Sequence, residues 1–297
     1  MSSPYSPMLA VPSTGASGRR PILLTEIASR ADWMAEVKED GIRAVVESDG
    51  RSCRIWNRNG VEVTEKYPEI ARQRLSAMVL DGEIVPRDGT LSTVLKRDKR
   101  TSGFDTAAKA DPCEFRAFDI LSCGGQDLTK IRYRQRRVLL EGILRKRRNI
   151  RPVKASKDTL GLWREVVEAG GEGIVVKQKS SLYIPGKRCE SWIKFKALRR
   201  VTAIAAGAGS TRGLSIELAL LDDFRPVPIG RVGTGWTVDE ERSLRESLSA
   251  GKPFLVEVQA LGRSADNRLR SAVYMGVRSD LVLTDAKVEQ LADLPLS

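Results

Sequence analysis

Five short motifs hold most of the reactive side chains of this chain. Lys38 lies in Glu36-Val37-Lys38-Glu39-Asp40-Gly41-Ile42-Arg43, and downstream come Asp81-Gly82-Glu83, Phe115-Arg116-Ala117-Phe118-Asp119, Glu172-Gly173-Ile174-Val175-Val176-Lys177 and Trp192-Ile193-Lys194-Phe195-Lys196. A lysine amine can attack the α-phosphate of a nucleotide if part of it is uncharged. Its ordinary pKa is about 10.4, so burial or neighbouring cations must act on it. Residues two apart on a strand share a face, so Lys194 and Lys196 project together and could supply that cationic field and hold phosphate. The same rule puts Asp81 with Glu83, and Phe118 with Ile120. Glu83 and Glu172 suit a magnesium ion that keeps its waters and bridges to nucleotide phosphate. Each motif alone has a plainer reading: Lys-x-Asp-Gly is a charged hairpin tip, Asp40-Gly41 a tight turn, and Phe118 a core residue.

The elements that must position these groups are short. Residues 1–20 are rich in Ser, Pro and Gly and are expected to be flexible. Trp33 to Val46 and Cys53 to Trp56 read as a hairpin about Ser48-Asp49-Gly50, with Lys38 within or just after its first strand. Met78 to Val85, Glu114 to Leu121, Gly173 to Lys177 and Trp192 to Lys196 are further strands. Arg132 to Arg148 and Leu160 to Ala169 read as helices, the first with an arginine-rich face that is either solvated or turned to DNA and the second closed by Gly170-Gly171. Beyond Leu198 the pattern predicts strands at Val201 to Ala206, Leu214 to Leu221, Pro228 to Val232, Phe254 to Leu261 and Val273 to Val277. A helix at Asp239 to Ser249 precedes the last two, which suits a small β-barrel of OB type.

Composition narrows the chemistry further. The 297 residues carry 50 basic and 38 acidic side chains, a net charge of +12 that suits a polyanionic partner. Aromatic content of 5% favours gripping duplex phosphates over stacking single-stranded bases. The chain has no histidine, which excludes Ser-His-Asp hydrolases, Cys-His proteases and histidine-ligated zinc enzymes. Cys53, Cys113, Cys123 and Cys189 form no C-x-x-C pair and read as free structural thiols in a reducing compartment. No apolar run approaches the ~18 residues of a membrane span and no secretory signal is evident, so a cytoplasmic location without membrane contact is expected.

The ordered set, together with Arg58-Asn59-Gly60, resembles the covalent nucleotidyltransferases, and within them the ATP-dependent DNA ligases of the bacterial end-joining type. Gly230-Arg231-Val232-Gly233-Thr234-Gly235-Trp236, Val256-Glu257-Val258 and the stretch from Leu269 to Asp280 resemble that group's OB-fold motifs, so the resemblance covers about Pro7 to Asp280. It implies an α+β chain: a nucleotidyltransferase (adenylation) domain over 21–198, with ATP-grasp-like antiparallel sheets and helices, followed by an OB-fold β-barrel over 199–297. It also implies Lys38 as the adenylated nucleophile, with Glu36 and Val37 beside it at the nucleotide. Arg43 and Arg58 become ribose and phosphate contacts, Glu83 and Glu172 ribose or metal-site carboxylates, and Phe118 the stacking partner of adenine. Lys194 and Lys196 fall on the α-phosphate, and Arg278 on the triphosphate.

The implied cofactors are ATP and Mg2+ or Mn2+. The implied partner is nicked double-stranded DNA, handled by a monomer in three steps through lysyl-AMP and DNA-adenylate, and the implied setting is DNA repair. Two positions depart from the pattern: Glu39 stands where relatives carry an aromatic or apolar residue, and Leu281 where they carry lysine. Strand alternation is expected to point Glu39 away from the nucleophile. RNA ligation, guanylyl transfer and a catalytically weak nick- or end-binding module remain alternatives. NAD as donor fits less well, since the cysteine zinc site of that ligase class is missing here.

Overall fold

The computed structural model describes residues 5–14, 20–87, 90–145, 147–209 and 213–296. The chain divides into two compact units, Met1–Lys196 and Ala197–Ser297. In the first unit the strands are β1 (Leu9–Pro12), β2 (Trp33–Val37), β3 (Ile42–Ser48), β4 (Cys53–Asn57), β5 (Met78–Pro86), β6 (Cys113–Cys123), β7 (Gln126–Asp127), β8 (Ile150–Pro152), β9 (Ala155–Ser156), β10 (Gly173–Gln178) and β11 (Arg188–Lys196). Its helices are α1 (Leu24–Ala28), α2 (Pro68–Ala71), α3 (Leu91–Lys99), α4 (Phe104–Ala110), α5 (Tyr133–Leu144) and α6 (Thr159–Glu168).

These strands form two sheets, ordered β1-β11-β10-β2-β9 and β4-β3-β5-β6-β7, with β8 added beside β6. Period-two alternation explains how the first sheet serves two masters. Ile174, Val176, Ile193 and Phe195 pack with Leu162 and Val166 of α6. The intervening Val175, Lys177, Trp192 and Lys194 line a cavity instead. The second sheet buries Leu80, Ile84, Phe115 and Ile120 against α5 through Leu140 and Leu144, while Val45, Trp56 and Val79 of its other face meet Met8 and Trp192. The two sheets therefore enclose a small mixed core with the cavity at its margin.

Four expectations change. The run Trp33 to Val46 is not one strand: it breaks after Val37, and β2 and β3 belong to different sheets. The chain passes close to β5 in the break, at Gly41, where a Cβ would lie 2.1 Å from the Ile84 carbonyl oxygen. The flexible N-terminus contains a strand, because β1 pairs in parallel with β11 and Met8 is fully buried. Residues 1–4 and 15–19 of that stretch lie outside the described residues. The arginine face of α5 is only partly solvated: Arg134 and Arg145 are exposed, but Arg136 is buried against Asp119, and Arg137 against Glu36. Finally, Phe118 and Ile120 face opposite ways. Asp81 pairs with Asp119 and Gly82 with Ala117, so Phe118 is an extra residue bulged out of the ladder. A bulge resets the alternation, which leaves Ile120 in the α5-side core and turns Phe118 to the cavity side.

The second unit has β12 (Arg199–Ala208), β13 (Ile216–Asp222), β14 (Arg225–Val232), α7 (Val238–Ser249), β15 (Phe254–Ala260), β16 (Gly262–Arg263), β17 (Leu269–Arg270) and β18 (Val273–Val277). Its main sheet runs β14-β13-β12-β15-β18, all antiparallel, around Val201, Leu218, Leu220, Val256 and Val258. Helix α7 starts with a capping box in which Thr237 and Glu240 exchange hydrogen bonds. The molecule is a mixed α/β protein. Among the described residues no helix is long and apolar enough to cross a membrane.

Candidate active site

The cavity has a volume of about 600 Å³ and gathers Glu36, Val37, Lys38, Arg43, Arg58, Glu83, Phe118 and Lys194, eight of the expected site residues. Lys38 directly follows β2, and its backbone N–H donates to Gly173 O at 2.9 Å, so β10 fixes where the side chain starts. Gly173 is required there: its φ is +136°, and a Cβ would lie 2.0 Å from Phe195 O. The preceding residue, Glu172, is thereby delivered to the amine. Lys38 Nζ donates to Glu172 Oε2, and Lys196 Nζ lies 3.4 Å from Glu172 Oε1. One carboxylate thus holds two of the three lysines that the motifs singled out.

Lys194 is the third. Burial pushes its pKa down, and the cations Lys196, Lys38 and Arg188 push it further down against the opposing pull of Glu172. Glu83 responds the other way: burial raises its carboxyl to about 7, with Glu172 and Asp81 adding to the rise and Lys38 and Arg43 opposing it. Glu39 lies in the irregular segment between β2 and β3, where strand alternation does not operate, and it lines the same cavity as Lys38. Burial raises its carboxyl too, against Arg116 and Lys38.

Arg43 is held rigidly. Its Nε and Nη2 donate to Asp81 Oδ1 and Oδ2 at 2.8 and 2.6 Å, and Nη2 also donates to Met8 O at 2.9 Å. Tyr183 OH donates to the same Asp81 at 2.7 Å. The guanidinium carbon sits 4.7 Å from the centre of the Phe118 ring, a cation–π contact of about 0.5–2 kcal/mol. Arg58, in contrast, is exposed on the cavity rim, and among the described residues it has no ion-pair partner.

The floor of the cavity contains residues to which sequence reasoning gave no role. Lys177 is fully buried, donates to Phe118 O at 2.8 Å, pairs with Glu36 Oε2 at 2.7 Å and lies 4.0 Å from the Trp192 ring centre. Glu36 also accepts from Arg137 Nη1 at 2.9 Å and from Tyr133 OH. Its carboxylate is therefore engaged by three protein groups. The signal for Lys177 was present: it sits two and four residues beyond Val175 and Gly173, on the cavity face by alternation. Arg188 and Trp192 also line the cavity.

Arg278 belongs to the second unit. Its guanidinium donates to both oxygens of Asp280 at 2.9 and 2.8 Å and to Glu257 Oε2 at 2.8 Å. Leu281, the departure from lysine, packs against the apolar core of that unit. All four cysteines are free, two of them buried, and burial raises the Cys113 thiol to about 12.

Comparison with known proteins adds an independent line. Residues 7–196 match the family described as ATP dependent DNA ligase domain. A bifunctional non-homologous end joining protein LigD of Bacillus subtilis is 29% identical over 255 residues, covering 77% of this chain and 42% of the relative. A DNA ligase of Natronomonas pharaonis is 33% identical over 247 residues, covering 75% and 44%. The chain thus spans less than half the length of these curated relatives. The crystal structure of the ligase domain from M. tuberculosis LigD superposes with a TM-score of 0.54 at 26% identity, covering 95% of this chain and 97% of that one.

Proposed function

Because this chain belongs to the ATP dependent DNA ligase domain family, we propose that it seals nicks in duplex DNA with ATP, in DNA repair as the end-joining names of its relatives suggest. The observation that carries this reading is the Lys38 amine on Glu172, inside a cavity that also presents Lys194, Glu83 and Phe118.

Lys38 Nζ attacks the α-phosphorus of ATP. The Nζ–P bond forms as the bond to the bridging oxygen breaks, and pyrophosphate leaves with that electron pair. Glu172, already hydrogen-bonded to Nζ, is placed to accept the amine proton. Lys194 and Lys196 balance charge developing on the phosphoryl oxygens. Phe118, oriented by the bulge and by Arg43, offers a face to the adenine. A 5′-phosphate oxygen then takes the AMP, breaking the N–P bond and restoring the amine, and the 3′-hydroxyl finally displaces AMP. Most of this is positioning and charge neutralisation.

A divalent cation fits these residues. Magnesium is bound by one or two carboxylates with water and phosphate oxygens completing its shell, and Glu83, crowded by Glu172 and Asp81, gains from a nearby cation. Glu83 and Glu172 would hold it, and it would offset phosphate charge. We read the two units as an adenylation domain and an OB-type domain. The five-stranded antiparallel sheet of the second unit, with a helix between its third and fourth long strands, supports that assignment.

Incubation with α-labelled ATP and Mg2+, followed by a chase with nicked DNA, tests the proposal. Acid-labile label on the protein that transfers to DNA and then yields sealed product is expected. Absence of labelling, or label that nicked DNA cannot discharge, would overturn it.

A further inference from the structure

A second concavity of the first unit, about 820 Å³, lies along α5 and the segment that follows it. Arg116, Arg145, Arg147, Arg151 and Lys154 line it, and Glu141 is the one acidic residue on its wall. Arg145, Arg147 and Arg151 come from a strongly basic run, Arg145-Lys146-Arg147-Arg148-Asn149-Ile150-Arg151, which contains no acid.

We propose that this groove binds a stretch of nucleic-acid backbone phosphates outside the nucleotide cavity, giving the enzyme a second grip on its duplex. The proposal rests on the ligase reading for the identity of the duplex. Three observations carry it.

The first is unsatisfied charge. Among the described residues Arg145 has neither an ion-pair nor a hydrogen-bond partner, and Arg151 has only the backbone oxygen of Arg148, which its Nε reaches at 3.0 Å. Lys154 pairs with Glu165, but both side chains are more than half exposed, so the pair is readily exchanged for a phosphate.

The second is Gly142, inside α5 and on the groove wall. A helical glycine is about 1 kcal/mol worse than alanine. A Cβ at Gly142 would meet nothing within 4 Å, so the chain itself has no need of glycine there. Close approach of a partner backbone would need it.

The third is location. The Lys154 carbonyl accepts from Val37 N–H at 2.9 Å, and Arg137 donates to Val153 O at 2.6 Å while also holding Glu36. The groove wall is therefore bonded to the two residues that precede Lys38. The groove is thus built on the strand that leads to the nucleophile, which favours the duplex being processed over an unrelated acidic protein segment.

The test uses the full chain carrying Arg145→Ala with Arg151→Ala, and separately Gly142→Leu. Binding to intact and to nicked duplex is measured across a salt series, alongside AMP labelling of Lys38 and thermal stability. Losing two phosphate contacts should lower the slope of log K against log salt by about 1.8, from about 0.9 per contact, and weaken affinity several-fold, with labelling unchanged. Gly142→Leu should hold or raise the melting temperature yet also weaken duplex binding. Unchanged duplex affinity and slope in the double variant would overturn the groove assignment while leaving the ligase reading intact. Loss of binding to a poly-glutamate peptide instead of to DNA would overturn it in favour of an acidic protein. Failure of the wild type to take AMP label would refute the ligase reading alone, since intact-duplex binding still reports on the groove.

Discussion

Two lysine–glutamate pairs meet at one cavity, three of their four residues lining it, and have different jobs. Lys177 and Glu36 have side chains 1% and 2% exposed, and their charges are closed off by Arg137, Tyr133, Phe118 O and the Trp192 ring. Lys38 and Glu172 have side chains 22% and 7% exposed, and the Glu172 carboxylate is shared with Lys196. A pair with every donor matched inside the protein is rigid and has nothing left to offer a substrate. A pair at the edge of solvent, with an excess of cations, can exchange partners when an anionic phosphate enters. Burial and completeness of pairing, more than residue type, separate framework from chemistry here.

The comparison breaks most visibly at the open pair. Lys38→Ala should lower AMP labelling and sealing by about ten-thousand-fold or more with the fold intact, since covalent transfer has no substitute amine. Lys38→Arg should fail equally, because a guanidinium stays protonated. Labelling with α-labelled ATP, paired with circular dichroism, reads both halves. Persistent labelling would remove Lys38 from the mechanism.

At the closed pair the effect moves from activity to stability. Glu36→Ala leaves Lys177 and Arg137 buried without their shared anion, and a loss of about 3–5 kcal/mol is expected in denaturant unfolding. The corresponding Glu172→Ala change should cost the fold far less and adenylation far more. Equal stability losses for the two variants would erase the distinction.

Phe118→Leu probes the aromatic face that lies between Arg43 and the closed pair. The ring stands over Arg43 on one side and lies 4.8 Å from Lys177 Nζ. Losing an aromatic face should weaken ATP binding by about 1 kcal/mol or more, several-fold in the ATP dependence of labelling. An unchanged dependence would return Phe118 to the core.

Much of this was legible in the sequence, and the rest was hidden for definite reasons. Alternation predicted the cavity faces of β10 and β11 because both strands are regular, so Lys194 lines the cavity and Lys196 reaches Glu172. It failed at Phe118 because a bulge is a property of two strands in register, and a single strand does not display it. It failed at Glu39 because Lys38 to Gly41 is not a strand. Arg136 and Arg137 of α5 read as surface because their partners Asp119 and Glu36 lie 17 and 101 residues away. Strand β1 was missed because a four-residue edge strand in a Ser- and Pro-rich stretch has too short a pattern to stand out.

A further expected effect, on stability alone, is a pH dependence at Glu83. Its carboxyl rises from an ordinary 4.5 to about 7, chiefly through burial. A carboxyl that holds its proton more tightly when folded contributes full stability below its unfolded pKa. That contribution is lost as pH rises through the window from about 4.5 to about 7, and it is gone above that. Glu83→Gln removes the titration, so the variant should gain on the wild type across this window and stay ahead at pH 8, by about 2–4 °C in melting temperature for each kcal/mol recovered. Thermal melts of both proteins at half-unit pH steps measure it. Parallel curves would show that Glu83 keeps an ordinary carboxylate pKa in the fold, and the open pair would then lie in a wetter, less charge-strained site than the contrast with Lys177 and Glu36 requires.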